Sequence, residues 1–284
     1  MATFTNTASL LFNGNTIRSN IVTGEIADVL TVTKTAVADS YEDGGAVTYA
    51  VNIINAGDTP AENLTVTDNL GAYDFDGGTL YPLAYTDGSV RYFVNGVLQT
   101  APTVTGEQPL AITGISVPAG GNATVLYRTD VTGFAPLTPG SEIVNDVDVT
   151  GDSVYAPLSA SSTLAVSEEP VLSIIKALSP DTVTENEEIT YTFTVQNTGN
   201  TAVTAGDGVV LNDLFDPIIS VTSVTFNGTA WQTPANYTMN TVTGEFATVA
   251  GQITVPAATY TQNPDTGMWD VVPGTSVLTV TGII

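Results

Sequence analysis

The chain contains the same pattern twice, and this internal repeat constrains its fold more than any other feature. Residues 30–34 (LTVTK) match residues 172–176 (LSIIK), and residues 47–57 match residues 189–199. A repeat in sequence indicates a repeated structural unit. Both longer segments alternate apolar and polar residues and then end in a turn, which is typical of half-buried strands. Many short strands without helical periodicity predict an all-β protein made of two tandem β-sandwich domains.

Further matches keep the same order along the chain. Residues 66–70 (VTDNL) match 211–215 (LNDLF), and an Asn-Gly pair lies between strand-like runs at 95–96 and again at 227–228. Asn-Gly between such runs is a strong signal for a two-residue hairpin turn. The intervals between the matched segments are nearly equal. Each repeat therefore spans about 100 residues, the size of one sandwich domain.

The two repeats end differently. After Gly133 the first repeat continues to a further strand-like segment, residues 143–149, whereas at the matching place the second repeat stops two residues after Gly282. A segment that resembles this last strand lies instead at the start of the chain, with Asn6 opposite Asn145. The predicted donor strand consists of Phe4, Thr5, Asn6, Thr7, Ala8, Ser9 and Leu10.

This arrangement predicts a domain organisation and a mode of assembly. We expect a donor strand and connector in 1–28, a complete first domain in 29–152, a linker in 153–169 and an incomplete second domain in 170–284. A sandwich without its last strand exposes an apolar groove and unpaired edge groups. A free strand of the right pattern fills such a groove by strand addition. Because the first domain stands between the donor and the groove, we expect the donor to enter another copy, which produces an open homopolymer.

The lysines suggest that the assembly is covalent. The chain has two lysines, Lys34 and Lys176, and they occupy the same position in the two repeats. A buried Lys beside an Asp and an Asn can form an amide, because burial lowers the pKa of the amine and raises that of the acid. The neutral amine then attacks the Asn carboxamide while the acid transfers protons, and ammonia leaves. In the first domain this predicts a bond between Lys34 and Asn145, promoted by Asp68.

In the second domain the predicted cross-link joins two copies of the chain. Lys176 is matched by Asp213 as the promoting acid, and the aligned amide is Asn6 on the donor strand. The bond between Lys176 and Asn6 would therefore be intermolecular. The alternative for each lysine is a buried ion pair with a nearby polar Asn, although such pairs are costly to bury.

The composition excludes several other functions. The chain carries 29 acidic residues against five basic ones, for a net charge of −24, so neither a nucleic acid nor an anionic membrane is an expected partner. It contains no Cys and no His, which removes disulfides, thiol catalysis, His-based triads and the usual zinc sites. We therefore expect no cofactor and no resident metal. Residues 74–78 (DFDGG) form a weak calcium candidate, because most of an EF-hand loop is lacking.

The ends of the chain bear on its location. Residues 1–5 lack the basic start and apolar run of a signal peptide, and no wall-sorting tail follows Gly282. Either the native leader is replaced here, or the protein is made in a cell that later lyses, as the mother cell does around an endospore. We expect an extracellular location on the surface of a bacterial cell or spore.

These residues resemble a known family. Lys34, segment 66–70 and Asn145, together with Lys176 and Asp213, resemble the conserved-repeat domains known as DUF11, which occur in bacterial surface proteins. The resemblance covers nearly the whole chain. It implies an immunoglobulin-like fold, and the Lys–Asp–Asn trios look like the isopeptide chemistry of Gram-positive pilins and adhesins.

Two other functions compete with a filament subunit. A secreted adhesin without polymerisation would use exposed aromatic clusters, for which the candidates are Tyr81, Tyr85, Tyr92 and Phe93, and Tyr237, Tyr260 and Trp269. An enzyme would need acid pairs such as Glu187-Glu188 for acid–base chemistry, but acids at Thr-rich strand edges commonly serve solubility. We expect no enzymatic activity beyond the self-directed amide formation.

Overall fold

The computed structural model describes residues 2–26, 29–152 and 154–284, apart from the side chains of Ala2 and Ile26. These residues form 28 β-strands and one short 3-10 helix. Contacts divide the chain into two compact units. The first unit takes the described residues up to 136 together with residues 142–166, and the second takes residues 137–141 and the described residues from 167 to 284. No helix in the described ranges is long and apolar enough to cross a membrane.

Four strands form an N-terminal arm, which is one long antiparallel hairpin. Strand β1 pairs with β4, and β2 pairs with β3. Asn13 and Gly14 form the turn with φ of 48° and 78°, conformations that Asn and Gly tolerate better than other residues. All residues from Thr3 to Glu25 are exposed except Gly24, which is half-buried. The strands of the arm are β1 (Ala2–Asn6), β2 (Ser9–Phe12), β3 (Asn15–Arg18) and β4 (Val22–Ile26).

The first domain is a sandwich of two sheets. One sheet has the order β13-β12-β16-β7-β5, with β11 also paired to β16, and the other has the order β14-β15-β8-β17-β18-β6; β9 and β10 form a separate hairpin. The strands are β5 (Leu30–Ala36), β6 (Ser40–Tyr41), β7 (Ala46–Asn55), β8 (Ala61–Asp68), β9 (Tyr73–Phe75), β10 (Gly78–Leu80), β11 (Leu83–Tyr85), β12 (Arg91–Val94), β13 (Val97–Gln99), β14 (Thr103–Glu107), β15 (Leu110–Val117), β16 (Asn122–Val131), β17 (Glu142–Thr150) and β18 (Leu158–Val166).

Strict alternation builds the core of this domain. In β7 and β17 every second residue is buried, because successive side chains of a strand point to opposite faces. The two inner faces meet and remove their apolar side chains from water, which is the main favourable contribution to folding. The largest side chains in this core with almost no exposure include Tyr49, Ile53, Leu64, Ile112, Ile115, Tyr127 and Ile143.

The second domain repeats part of this plan. A five-stranded sheet has the order β19-β20-β28-β22-β23, and it is accompanied by the three-stranded sheet β21-β25-β24 and the hairpin β26-β27. Its core includes Tyr191, Phe193, Phe215, Phe246 and Leu278. The 3-10 helix lies at Ala205–Asp207, and the strands are β19 (Leu172–Ser179), β20 (Glu188–Asn197), β21 (Asn212–Leu214), β22 (Ser220–Phe226), β23 (Thr229–Ala230), β24 (Tyr237–Met239), β25 (Glu245–Thr248), β26 (Thr259–Gln262), β27 (Trp269–Val272) and β28 (Gly274–Ile283).

The prediction of two tandem sandwich domains, the second without its last strand, is confirmed. Strand β8 lies between β15 and β17, whereas its counterpart β21 pairs with β25 alone among the described residues. The structure also corrects the predicted linker at 153–169. Residues 158–166 are not a connector but form β18, which pairs along the whole length of β17. In the part of the chain that the structure describes, no strand of the second domain corresponds to β17 or β18.

The two missing strands leave β19 uncovered. In the first domain the inward-facing residues Leu30 and Lys34 of β5 are buried, with 4% and 5% exposure. At the matching positions of β19, Leu172 is 41% exposed and the side chain of Lys176 is 42% exposed, and Ile174 between them is 56% exposed. Every residue of β19 is exposed, so both faces of this strand are open to solvent. The second domain thus has an apolar groove along its first strand, which we call the β19 groove.

We expect the arm to contribute nothing to the stability of the isolated chain. Removal of residues 2–26 should leave the denaturant midpoints of both domains of the monomer unchanged, because the arm buries no described side chain and a lone hairpin is at best marginally stable. The measurement is denaturant unfolding of dilute, monomeric protein. As a matched control, removal of the β17–β18 hairpin should prevent the first domain from folding. A lower midpoint after arm removal would show that the arm packs on its own chain.

Candidate functional site

Lys34 is a cation buried between the two sheets of the first domain. It lies on β5, and its Nζ is 2.7 Å from Oδ2 of Asp68 on β8 in the opposite sheet. The side chains of Lys34 and Asp68 are 0% and 1% exposed. The ring of Tyr49 lies beneath the ammonium, with 4.8 Å from Nζ to the ring centroid. The predicted pair of Lys34 and Asp68 is thus in direct contact and shielded from water.

Asp68 receives three hydrogen bonds. Oδ2 accepts from Lys34 and from the hydroxyl of Tyr127, and Oδ1 accepts from the backbone N–H of Leu70 at 2.7 Å. Burial, aided by the negative charge of Asp68, raises the pKa of Tyr127 well above its usual value. The Tyr127 hydroxyl therefore stays protonated and donates a hydrogen bond to Asp68. Donors on both oxygens hold this carboxylate in one orientation toward Lys34.

Asn145 is placed beside Asp68 by the next peptide group. The backbone N–H of Gly71 is shared between Oδ1 of Asn69 at 2.9 Å and Oδ1 of Asn145 at 3.2 Å, so consecutive N–H groups contact the carboxylate of Asp68 and the amide of Asn145. Leu70 and Gly71 both have positive φ, of 56° and 69°, a left-handed backbone conformation that is uncommon for a residue such as Leu. A Cβ on Gly71 would lie 2.5 Å from the side chain of Ile143, so a larger residue would push β17 away.

Among the residues that the structure describes, the amide nitrogen of Asn145 has no partner within hydrogen-bonding geometry, and neither has the hydroxyl of Tyr49. Burial raises the pKa of Tyr49, and the Asn145 side chain offsets part of that rise. Asn145 is 0% exposed, and its Nδ2 is one of the few buried polar atoms without a partner in the described part of the chain. An unpartnered buried donor costs about 1–3 kcal/mol. A chemical change that removes this NH₂ group would relieve that cost.

The electrostatics of the site favour a reactive amine. Burial lowers the pKa of Lys34 to about 8, and the negative charge and hydrogen bond of Asp68 oppose this shift only in part. With a pKa near 8, about a tenth of the Lys34 side chains are neutral at pH 7. A neutral amine is a nucleophile, whereas an ammonium ion is not. The site therefore combines a nucleophile, a proton carrier and a polarised amide carbonyl.

The second site has the same pair in an open setting. Nζ of Lys176 on β19 is 2.6 Å from Oδ2 of Asp213 on β21, and their side chains are 42% and 16% exposed. Nζ lies 4.8 Å from the ring centroid of Tyr191, as Lys34 does from Tyr49. Within the described residues Asp213 accepts a hydrogen bond from Lys176 alone. By strand register, Val280 lies opposite Tyr191 where Tyr127 lies opposite Tyr49, so the second site has no matching hydroxyl.

The structure places the third predicted residue of this site elsewhere. Asn6 is exposed on β1 of the arm, where it pairs with Val22. The structure thus places Asp68 and Asn145 on neighbouring strands, with Lys34 in contact with Asp68 from the opposite sheet, and it joins Lys176 to Asp213. The amide predicted for the second site remains on the arm.

Sequence reasoning missed the residues that hold the first site together. These are the two tyrosines, Tyr49 and Tyr127, and the Leu70–Gly71 turn. Tyr49 carries a signal, because Tyr191 occupies the same position in the second repeat. Tyr127 carries none, because the second repeat has Val280 in its place.

Other predicted sites have structural explanations. In the calcium candidate, Asp76 and Gly77 form the turn of the β9–β10 hairpin, with φ of 46° and 77°. No cluster of three or more acidic, His or Cys residues that could hold a metal occurs in the described residues. Of the aromatic residues proposed for adhesion, Tyr92 and Tyr237 are 7% and 8% exposed and belong to the domain interiors.

Comparison with known proteins identifies no family. No family model matches the chain, and no curated protein matches it, so the resemblance to DUF11 remains a prediction. Among solved structures, the pilus backbone RrgB of Streptococcus pneumoniae is 11% identical, with 86% of this chain and 55% of that chain covered and a TM-score of 0.33. The collagen adhesin of S. aureus is 12% identical, with 52% and 55% covered and a TM-score of 0.31. The chain thus matches only about half the length of either protein.

The lowered pKa of Lys34 predicts an unusual pH dependence. We expect the variant Asn145→Leu, which removes the unpartnered amide and keeps the Lys34–Asp68 pair, to gain stability as pH rises from 8 to 10. In this window the unfolded chain holds the Lys34 proton, with a pKa of 10.5, while the folded chain has lost it. The free energy of unfolding should rise by on the order of 2–3 kcal/mol, as measured by denaturant unfolding at several pH values.

A control variant isolates the contribution of Lys34. Lys34→Met in the Asn145→Leu background should have a flat profile below pH 10. Above pH 10 both variants should lose stability, because burial raises the pKa of Tyr49 to about 12 and its unfolded form ionises first. A flat profile in Asn145→Leu itself would contradict a lowered Lys34 pKa.

Proposed function

We propose that this chain is a structural subunit of a self-assembling extracellular filament, of the pilus or spore-appendage type. Subunits join head to tail when the arm of one copy completes the second domain of the next. The observation that carries this proposal is that one chain contains both an open β19 groove and an exposed arm. Each feature alone would be a liability in a secreted protein, because exposed apolar edges aggregate. Together they form a donor and an acceptor.

The donor strand matches the strand that it would replace. With Asn6 at the position of Asn145, every second residue from Phe4 corresponds to a buried residue of β17. Alternate residues of a strand face the same side, so this row would enter the core while the intervening residues face outward. The matched pairs are Phe4 with Ile143, Asn6 with Asn145, Ala8 with Val147, and Leu10 with Val149.

The first site supports an internal isopeptide bond. The Lys34 amine attacks Cγ of Asn145, whose carbonyl is polarised by the N–H of Gly71, and Asp68 carries protons between the two nitrogens. Of the three protons on the Lys34 ammonium, one remains on the new amide, one joins the departing NH₂ group to give ammonia, and one stays on Asp68, which leaves the site neutral. The unpartnered Nδ2 of Asn145 is the nitrogen that leaves.

The second site supports the same bond between copies. Insertion of the arm would carry Asn6 to the place that Asn145 occupies beside Asp68, and Asp213 would act as the proton carrier for Lys176. The arm would also shield Lys176 from water, which favours the neutral amine. A non-covalent strand contact dissociates slowly over time, and a covalent bond between the two copies would prevent this dissociation. The chemistry is a single maturation step, and we expect no turnover of an external substrate and no cofactor.

The acidic composition suits this role. A net charge of −24 keeps free subunits soluble and apart until the arm engages. The partners that we infer are therefore other copies of the chain, rather than a nucleic acid or a membrane. The adhesin alternative would need an exposed aromatic cluster, and two of its candidates, Tyr92 and Tyr237, are buried.

The internal bond has a direct test by mass spectrometry. The purified chain should be lighter than its sequence by one ammonia, and a digest should contain the Lys34 peptide joined to the Asn145 peptide. Asp68→Ala should abolish this mass loss while Lys34 and Asn145 remain. Since the bond closes a loop of more than 100 residues, Asn145→Leu should lower the free energy of unfolding by about 4–5 kcal/mol. An unchanged native mass would exclude the bond.

The filament has a test by gel electrophoresis. Assembled wild-type protein boiled in SDS should give a ladder of covalent oligomers, and peptides from it should contain Asn6 joined to Lys176. Lys176→Ala should remove the ladder, whereas Lys34→Ala, the matched change in the first domain, should keep it. A native chain that stays monomeric at all concentrations would refute the filament and favour the adhesin.

A further inference from the structure

We propose that the donated element is a two-stranded hairpin, in which β4 enters the acceptor together with β1 and covers the β19 groove of a second copy. This inference rests on the proposed function, which by itself requires only the strand that contains Asn6. It assigns a binding role to Val22–Ile26, which the sequence presented as a connector.

The pairing of the arm repeats the pairing inside the first domain. Strand β1 is antiparallel to β4, with Asn6 opposite Val22, and β17 is antiparallel to β18, with Asn145 opposite Ser162. The arm is therefore built like the hairpin that completes the first domain. An arm that donated one strand alone would need to break the pairing between β1 and β4 before insertion.

The arm has one apolar and one polar face over β1 and β4. The ring of Phe4 lies over Gly24, which pairs with it across the strands, so both residues face the same side. Val22 shares this side with Asn6. The opposite face carries Thr3, Thr5, Thr23 and Glu25. One face is thus suited to a core and the other to water, as expected of the outermost strands of a sandwich.

The acceptor lacks the neighbour that β4 would supply. In the first domain β18, more than β17, lies beside β5, and Oγ of Ser162 accepts a hydrogen bond from the backbone N–H of Ala36 at 3.1 Å. By strand register Leu178 holds the position of Ala36 on β19, and it is 47% exposed. A single strand at the position of β17 would leave this row of the β19 groove uncovered. Val22, the counterpart of Ser162, would cover it.

The direction of the strands favours a second copy as the acceptor. Strand β18 pairs in parallel with β6, which follows β5, so the chain enters the first domain at Leu30 and leaves it at the opposite end, after Val166. Short segments join β4 to β5 and β18 to β19. A unit that enters at one end and leaves at the other links to its neighbours in series.

Cysteine pairs test this seating, because the native chain has no Cys to interfere. Val22→Cys with Leu178→Cys, in a Lys176→Met background that prevents the isopeptide, should give a ladder of oligomers on a non-reducing gel after mild oxidation. The ladder should disappear on reduction. Thr23→Cys with Leu178→Cys is the matched control, because Thr23 faces outward, and it should give at least tenfold less linked product.

A second pair separates this inference from the proposed function. Leu10→Cys with Leu211→Cys reports the donor strand alone, since Val149 and Val66 are paired at the matching positions. Oligomers from this pair without oligomers from Val22 and Leu178 would show that one strand is donated, and would overturn the hairpin. No oligomers from either pair would refute strand donation itself. A Val22–Leu178 disulfide found within a monomer would show that the arm folds onto its own chain, and would also overturn the proposal.

Discussion

A strand inside a sandwich must be covered on its inner face and paired at its edges, and this requirement is not met within the second domain. In the first domain β17 and β18 satisfy it, and the result is a core in which Lys34 loses nearly all contact with water. In the second domain the corresponding positions are vacant, so Lys176 and the apolar side chains of β19 remain exposed. The two domains share a plan, and what separates them among the described residues is two strands of the first domain, for which we propose the arm of another copy as the substitute. The proposed assembly follows from that displacement.

Burial also decides the chemistry of the two lysines. Both make a short contact with an aspartate and lie at the same distance from a tyrosine ring. Only Lys34 is enclosed, and its pKa falls because an ammonium ion is expensive to hold away from water. If no bond formed, the folded first domain would bear the free-energy cost of burying the Lys34–Asp68 ion pair, together with the cost of the unpartnered Asn145 amide. The proposed amide removes both, since it exchanges an ion pair and a stranded NH₂ group for one neutral bond. Solvent exposure would keep the amine of Lys176 protonated and unreactive until a donated strand covers it.

Much of this could be predicted from the sequence, because repetition reveals what a single copy hides. Alternation in residues 47–57 and 189–199 predicted the strands, and the matched lysines and aspartates identified both ion pairs. The role of residues 158–166 could not be predicted, because a strand rich in Ser and Ala has the composition of a linker. The tyrosine that binds Asp68 was also out of reach, since β16 is distant from Asp68 in sequence and the second repeat has a valine there. The exposure of Lys176 depends on the absence of a neighbour, which no local pattern records.

The entry and exit points of the first domain have a mechanical consequence. Tension along a series of such domains enters at Leu30 and leaves after Val166. With the proposed amide in place, the shortest covalent route runs from Leu30 to Lys34, across to Asn145, and along β17 and β18. The segment between Lys34 and Asn145, which contains most of the sandwich, lies outside that route and carries no load. A pulling force would then load only the hydrogen bonds between β17 and β18, because Asn145 is paired with Ser162 and the route follows both strands. The rest of the sandwich would resist extension without depending on the strength of its own hydrogen bonds.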